Sequence, residues 1–277
     1  MRRLVERAGQ LNGPAVVFTF DPHPVRLLRP EQAPPPLTWT DRKAELLAEL
    51  GVVGMVAYPT TRELLGLEPD EFFQQLVVDE LGAQAIVEGE NFFFGHERRG
   101  NVETMEQLAL GAGIEMEVVG ASRDDEGGVV SSSRVRKLIS AGQVGQAREL
   151  LTRPYRIRGM VTHGAGRGAQ IGFPTANLDA VDTLLPGLGV YAGTASCRQG
   201  IWPAAINVGT NPTFGDNALK IEAHLIGFAD SIYGAPLEVD FLARLRDIQP
   251  FTSIDDLTKQ LARDVDRAAQ VASPYLA

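Results

Sequence analysis

Through residues 1–152, short apolar runs alternate with longer stretches whose apolar residues recur every three or four positions. MRRLVERAGQL reads as an opening helix, and PAVVFTFDPHP as an apolar run closed by a proline-bearing turn, which is how a buried parallel strand looks. TDRKAELLAELG starts with Thr40 as a capping residue, carries apolar residues at helical spacing and ends at Gly51; VVGMVAYP follows as a second strand. A helix over PDEFFQQLVVDELG, a strand at AIVEGENFFFG, a helix near VETMEQLALGAG and a strand at IEMEVVG continue the alternation. This order predicts a doubly wound parallel sheet. SSSRVRKLISAGQVGQARELL then supplies serine caps and two short helices.

Near residues 153–158 the period changes from helical to twofold. YRIRGMVTHG, GVYAGTASC, WPAAINVG, KIEAHLIGF and PLEVDFLARLRD are short β-rich runs separated by Gly, Pro and Asn turns, the spacing of a small antiparallel barrel. One helix closes the chain, with Ser253 as cap, Asp255 and Asp256 in its first turn, and Leu257, Leu261 and Val265 as an apolar stripe. The expected organisation is an α/β domain over 1–152 and an all-β barrel with a C-terminal helix over 153–277.

Composition narrows the classes. The chain has 277 residues, 44% hydrophobic and 22% charged, enough for two domains with real cores. A formal net charge of -9 argues against a general nucleic-acid or membrane-surface role. Cys197 is the single cysteine, so no intramolecular disulfide forms, and no apolar run reaches the roughly 18 residues of a membrane span. The first residues lack the apolar core of a secretory signal, and the expected compartment is the cytoplasm.

The stretch HGAGRGAQIGFPTANL carries the first candidate chemistry. Gly164, Gly166, Gly168 and Gly172 are consistent with tight turns at a barrel rim, or with a loop whose amides follow phosphate oxygens. The loop has no lysine and fits neither the Walker nor the dinucleotide spacing. If PTAN is extended, Thr175 and Asn177 project to one side and offer neutral oxygens of the kind Mg²⁺ accepts beside nucleotide phosphates. In KIEAHLIGF, Ile221, Ala223 and Leu225 face one way, and Lys220, Glu222 and His224 the other. Glu222 is then either part of a solvated charged face or a carboxylate at the barrel mouth that accepts an alcohol proton during phosphoryl transfer. His224 reads as a surface or packing histidine, since no second His or Cys stands at metal spacing.

RGAQIGFPTANL, INVGTNPTFG, KIEAHLIGF, DSIYG and FLARLRDIQPF together resemble the riboflavin kinase module of bacterial bifunctional riboflavin kinase/FAD synthetases, over almost all of residues 154–277. The resemblance implies a six-stranded antiparallel barrel and transfer of the ATP γ-phosphate to the 5′-hydroxyl of riboflavin, giving FMN. It implies Thr175 and Asn177 as Mg-ATP ligands, Glu222 as catalytic base, and Gly164, Gly166, Arg167, Gly168, Gly172, Phe173 and Pro174 as the ATP loop. Arg246 and Phe251 would border the flavin; Ile248 and Pro250 depart from the charged residues common there.

FTFDPHP, GENFFFGHERRG and VSSSRVRKLI resemble the nucleotidyltransferase half of the same family, which transfers AMP from ATP to FMN to give FAD. The matching positions are Asp21, His23, Asn91, Ser131, Ser132, Ser133 and Arg136. The family's first strand, with its His-x-Gly-His turn, has no counterpart, and Met1 falls in the helix that follows it. The expectation is therefore an N-terminally truncated nucleotidyltransferase half of poor stability, with adenylyl transfer unsupported. The alternatives are a full bifunctional enzyme whose start lies upstream, and a non-catalytic flavin or nucleotide binder.

Overall fold

A computed structural model describes residues 1–164, 166–211 and 216–276, without the side chains of 210, 211 and 216–218. Residues 212–215 of INVGTNPTFG lie outside the described residues. The chain divides into two compact units, Met1–Pro34 with Trp39–Val129, and Pro35–Thr38 with Val130–Ala277.

The first unit runs α1 (Arg2–Gln10), β1 (Val16–Asp21), α2 (Pro24–Leu28), α3 (Thr40–Ala48), β2 (Gly54–Pro59), α4 (Arg62–Leu65), α5 (Pro69–Phe72), β3 (Ala85–Gly89), β4 (Phe93–Phe94), β5 (Gly100–Asn101), α6 (Val102–Ala112) and β6 (Glu115–Val119). β1 pairs with β2 and β3 with β6, both parallel, and among the described residues no ladder joins the two pairs. Parallel strands are normally covered on both faces, yet neither VVFTFD nor AIVEG contains a buried residue. The core lies instead among Phe72, Phe73, Leu76, Val77, Met105 and Ala109, with Phe18, Phe20 and Tyr58 packed against it.

Two local expectations are corrected here. The helix over PDEFFQQLVVDELG is α-helical only to Phe72, and residues Phe73–Glu80 have the wider π geometry. There Gln74 donates to Asp79 five residues on, at 2.8 Å. Thr40 is not the cap of α3 but its first residue; its hydroxyl donates to Asp21 Oδ2 at 2.9 Å.

The second unit holds α7 (Ser132–Ser140), α8 (Val144–Leu151), β7 (Tyr155–Thr162), α9 (Arg167–Gln170), β8 (Ala176–Asp179), β9 (Gly189–Cys197), β10 (Gly200–Asn211), β11 (Asp216–Leu225), β12 (Pro236–Arg246) and α10 (Ile254–Ala272). Its six strands close into an antiparallel barrel in the order β10-β11-β8-β7-β12-β9. Alternate residues fill the interior, among them Ile157, Val161, Leu178, Ile206, Val208, Ile221, Ala223, Val239 and Phe241.

α7 and α8 share that core. Val135, Ile139, Val144 and Ala147 are buried in the cluster that contains Ile157, Tyr191 and Phe241. The turn between the helices is moulded to the barrel: a Cβ on Gly142 would lie 2.6 Å from the Tyr191 hydroxyl, and one on Gly187 would lie 2.5 Å from Ser140 O. The compact unit therefore begins near Val130, ahead of the change of period at 153, because two helices that look like part of the α/β alternation bury their apolar faces on the barrel.

α10 begins as its sequence predicts, with Ser253 Oγ accepting from the Asp256 amide at 3.1 Å. Beside Ala268 and Ala272 it buries a carboxylate: Asp264, 5% exposed, takes Arg246 Nη2 at 2.8 Å and Nε at 3.0 Å. Removing one partner of a buried pair leaves the other charge uncompensated, at a cost of about 3–5 kcal/mol. Asp264→Ala is expected to lower Tm in a thermal melt by roughly 10 °C, and Asp264→Asn by less.

Candidate active site

β11 brings the predicted residues together. Ile221 and Ala223 point into the core, so Glu222 stands half-buried on the outward face of the barrel wall. On one side it is directly opposite Asn177 of β8, and on the other opposite Asn207 of β10. Directly opposed residues of antiparallel strands share a face. Asn177, Glu222 and Asn207 thus form one polar row, and Asn207 Nδ2 donates to Glu222 Oε2 at 3.4 Å. The register places the carboxylate within a ladder, on the outward face of the barrel wall.

The glycine loop rests on the Asn177 end of this row. A Cβ on Gly164 would lie 2.6 Å from Asn177 Cγ, so the loop backbone rests directly on the amide. A Cβ on Gly168 would collide with the Phe173 carbonyl oxygen, and Phe173 N donates back to Gly168 O at 2.8 Å. Gly166 and Gly172 have φ of +68° and +88°, which explains glycine at both turns. Arg167, exposed, opens the short helix α9. Thr175 precedes β8, with Phe173 and Pro174 before it, and His224 Nδ1 lies 2.7 Å from Pro174 O.

Gly164→Ala is expected to push Asn177 out of the row and lower kcat/KM for phosphoryl transfer roughly tenfold to a hundredfold, the cost of about 1 Å of misplacement. Steady-state kinetics beside an unchanged melting curve would check it.

The donor set suits a hard cation delivered with a nucleotide. Thr175 and Asn177 offer neutral oxygens, a ligand type Mg²⁺ takes while keeping waters and phosphate oxygens. Among the described residues no group of three His, Cys, Asp or Glu side chains could hold a metal by itself.

Arg246 and Phe251 are also neighbours, with the guanidinium carbon 5.7 Å from the ring centroid. Its hydrogen bonds to Asp264 and to Asp247 O fix the Arg246 fork.

In the first unit, Asp21 ends β1, His23 Nδ1 accepts from Val25 N at 3.3 Å as the cap of α2, and Asn91 lies exposed in the turn after β3. These are carboxyl ends of parallel strands, where open α/β sheets bind ligands. Burial pushes the Glu88 carboxyl at the end of β3 up, only partly opposed by the Gly89 amide. A cavity of about 380 Å³, lined by Tyr58, Pro59, Thr61, Glu63, Leu64, Leu67 and Gln75, opens beyond β2. Ser131 caps α7, with Ser132 and Ser133 in its first turn, and Arg136 Nε donates to Pro35 O at 2.9 Å, all within the second unit.

Sequence reasoning missed Asn207 and Asp264 and gave His224 no task. INVG carries no signal that Asn207 faces Glu222, since that depends on strand register.

The second unit thus sets a carboxylate between two amides on the wall of a closed six-stranded barrel, with a glycine loop resting on one of the amides. Residues 151–272 match the family model described as Flavokinase: Riboflavin kinase, and residues 1–134 the one described as FAD synthetase. The bifunctional riboflavin kinase/FMN adenylyltransferase of Pseudomonas fluorescens is 34% identical over 99% of this chain and 88% of its own length. The Escherichia coli K12 protein of the same name is 32% identical over 95% of this chain and 84% of its own. The chain belongs to the bifunctional riboflavin kinase/FMN adenylyltransferase family.

A solved structure described as a macrolide-efflux protein from Streptococcus pneumoniae is also similar, with a TM-score of 0.84 and 28% identity over 97% of this chain and 88% of that one. Among the described residues of this chain, no helix is long and apolar enough to cross a membrane.

Proposed function

We propose that this chain is a riboflavin kinase that transfers the γ-phosphate of ATP to the riboflavin 5′-hydroxyl, giving FMN. The observation that carries the reading is the pairing of Asn177 with Glu222 across β8 and β11. In this reading the pair supplies a phosphate-side oxygen donor and a proton acceptor on one face. In this reading Gly164, Gly166, Arg167, Gly168, Gly172, Phe173 and Pro174 line the triphosphate, and Thr175 and Asn177 hold its Mg²⁺. The ion, when bound, neutralises phosphate charge. Glu222 accepts the proton of the attacking ribityl hydroxyl, Asn207 orients that carboxylate, and Arg246 with Phe251 borders the isoalloxazine ring. Phosphoryl transfer asks mainly for positioning and charge neutralisation, which this arrangement supplies without a lysine. The catalytic residues all fall within 153–277, and the reading places the enzyme in the cytoplasm.

Incubating the purified chain with riboflavin, ATP and Mg²⁺ and separating the flavins by chromatography tests the proposal. FMN must appear, and its absence from a folded chain rejects the reading. A second reading adds adenylyl transfer to FMN, favoured by the FAD synthetase match over 1–134. Asp21, His23, Asn91, Ser131, Ser132, Ser133 and Arg136 would then contact nucleotide or flavin. Supplying FMN and ATP separates the two readings, since only the second yields FAD.

A further inference from the structure

β8 and β11 pair only from Leu178 and Ile221 to Ala176 and Ala223. Continuing the register would set Thr175 against His224, but the ladder stops there, and Pro174 has no amide hydrogen with which to extend it. A side chain holds the strand end instead. His224 Nδ1 lies 2.7 Å from the Pro174 carbonyl oxygen. A carbonyl only accepts, so Nδ1 carries the proton. The edge of the His224 ring also meets Phe173, with centroids 5.7 Å apart at 65°. Phe173 is in turn bonded to Gly168 O through its amide at 2.8 Å. The peptide that joins Pro174 to Thr175 is therefore fixed by His224 from β11 and, through Phe173, by Gly168 from the loop. Alternation along β11 puts His224 on the outward face, two residues from Glu222.

We propose that His224 is a positioning residue of the kinase: its Nδ1–H fixes the Pro174–Thr175 peptide and so sets the direction of the Thr175 hydroxyl relative to Glu222. The proposal rests on the kinase reading above. His224 acts through Thr175, so its removal falls on the nucleotide and spares the flavin.

Three variants of the full chain separate this role from packing. His224→Asn places an amide N–H where Nδ1–H stands, His224→Gln carries its amide to the position of Nε2, and His224→Phe keeps a ring against Phe173 without a donor. FMN formation is measured with Mg-ATP and riboflavin varied separately. His224→Phe is expected to raise KM for Mg-ATP about tenfold, the effect of one lost hydrogen bond, with KM for riboflavin changed by less than about twofold. His224→Asn restores KM for Mg-ATP to within about threefold of the natural chain, and His224→Gln does not. If His224→Phe does not fold, the contrast between the Asn and Gln variants decides by the same criterion. Natural-like kinetics in His224→Phe, or equal impairment of the Asn and Gln variants, overturns the assignment. An unsubstituted chain that makes no FMN overturns the kinase reading and this assignment together, whereas an active chain indifferent to these variants overturns only the assignment.

Discussion

Glu222→Gln lowers kcat for FMN formation about a thousandfold, the middle of the range for loss of a general base, and leaves Mg-ATP and riboflavin bound with natural affinity. The glutamine keeps the shape of the side chain and one oxygen to accept from Asn207, which now bonds to Glu222 Oε2 at 3.4 Å. Packing on the β8 and β10 neighbours is unchanged, and only the basicity is lost. Loss of turnover with retained binding marks an interaction made in the transition state. Flavin fluorescence titration beside single-turnover assays checks both halves of this expectation. Unchanged kcat would leave Glu222 as one residue of a solvated face.

A chain beginning at Val130 is expected to unfold cooperatively, and one beginning at Arg153 to fail to fold. The shorter chain contains every residue placed in the kinase reaction. It lacks Val135, Ile139, Val144 and Ala147, each at most 3% exposed in the barrel-side core. Each of the three larger side chains contributes roughly 1.5–3 kcal/mol on burial. Their sum approaches the whole stability of an ordinary domain, about 5–15 kcal/mol. Gly142 would also no longer cover Tyr191, leaving that end of the barrel open. Calorimetric melts of the two chains decide the matter, and equal transitions would mean that α7 and α8 only rest on the barrel.

The barrel is legible in the sequence because strands such as β7 and β11 alternate, whereas Gly189–Ala195 of β9 is buried at every position. In KIEAHLIGF the inward Ile221, Ala223 and Leu225 could be separated from the outward Glu222 and His224 before any coordinates. The face of Asn177 followed from the same period. What alternation does not encode is register, so Asn207 is not legible as the partner of Glu222. That α7 and α8 join the compact unit of the barrel is not legible for a related reason. VRKLISAGQVGQARELL has the period of any amphipathic helix pair, and nothing in that period says which neighbour the apolar stripe meets. Asp264 hid in a stripe of apolar residues because a buried carboxylate is only intelligible with Arg246 in view. In the first unit the strand and helix types are readable, whereas the π geometry of Phe73–Glu80 is not, since the apolar residues there carry no signal that distinguishes it from an α-helix.

The central claim is that the oxygen ligands of the Mg-nucleotide and the proton acceptor share one face of the barrel wall, and a crystal structure of the chain with Mg-ADP and riboflavin tests it most directly. The account predicts the nucleotide phosphates against Thr175 and Asn177, with the Glu222 carboxylate about 2.6–3.2 Å from the riboflavin 5′-oxygen. A nucleotide bound on any other face, or a 5′-oxygen out of reach of Glu222, would contradict it.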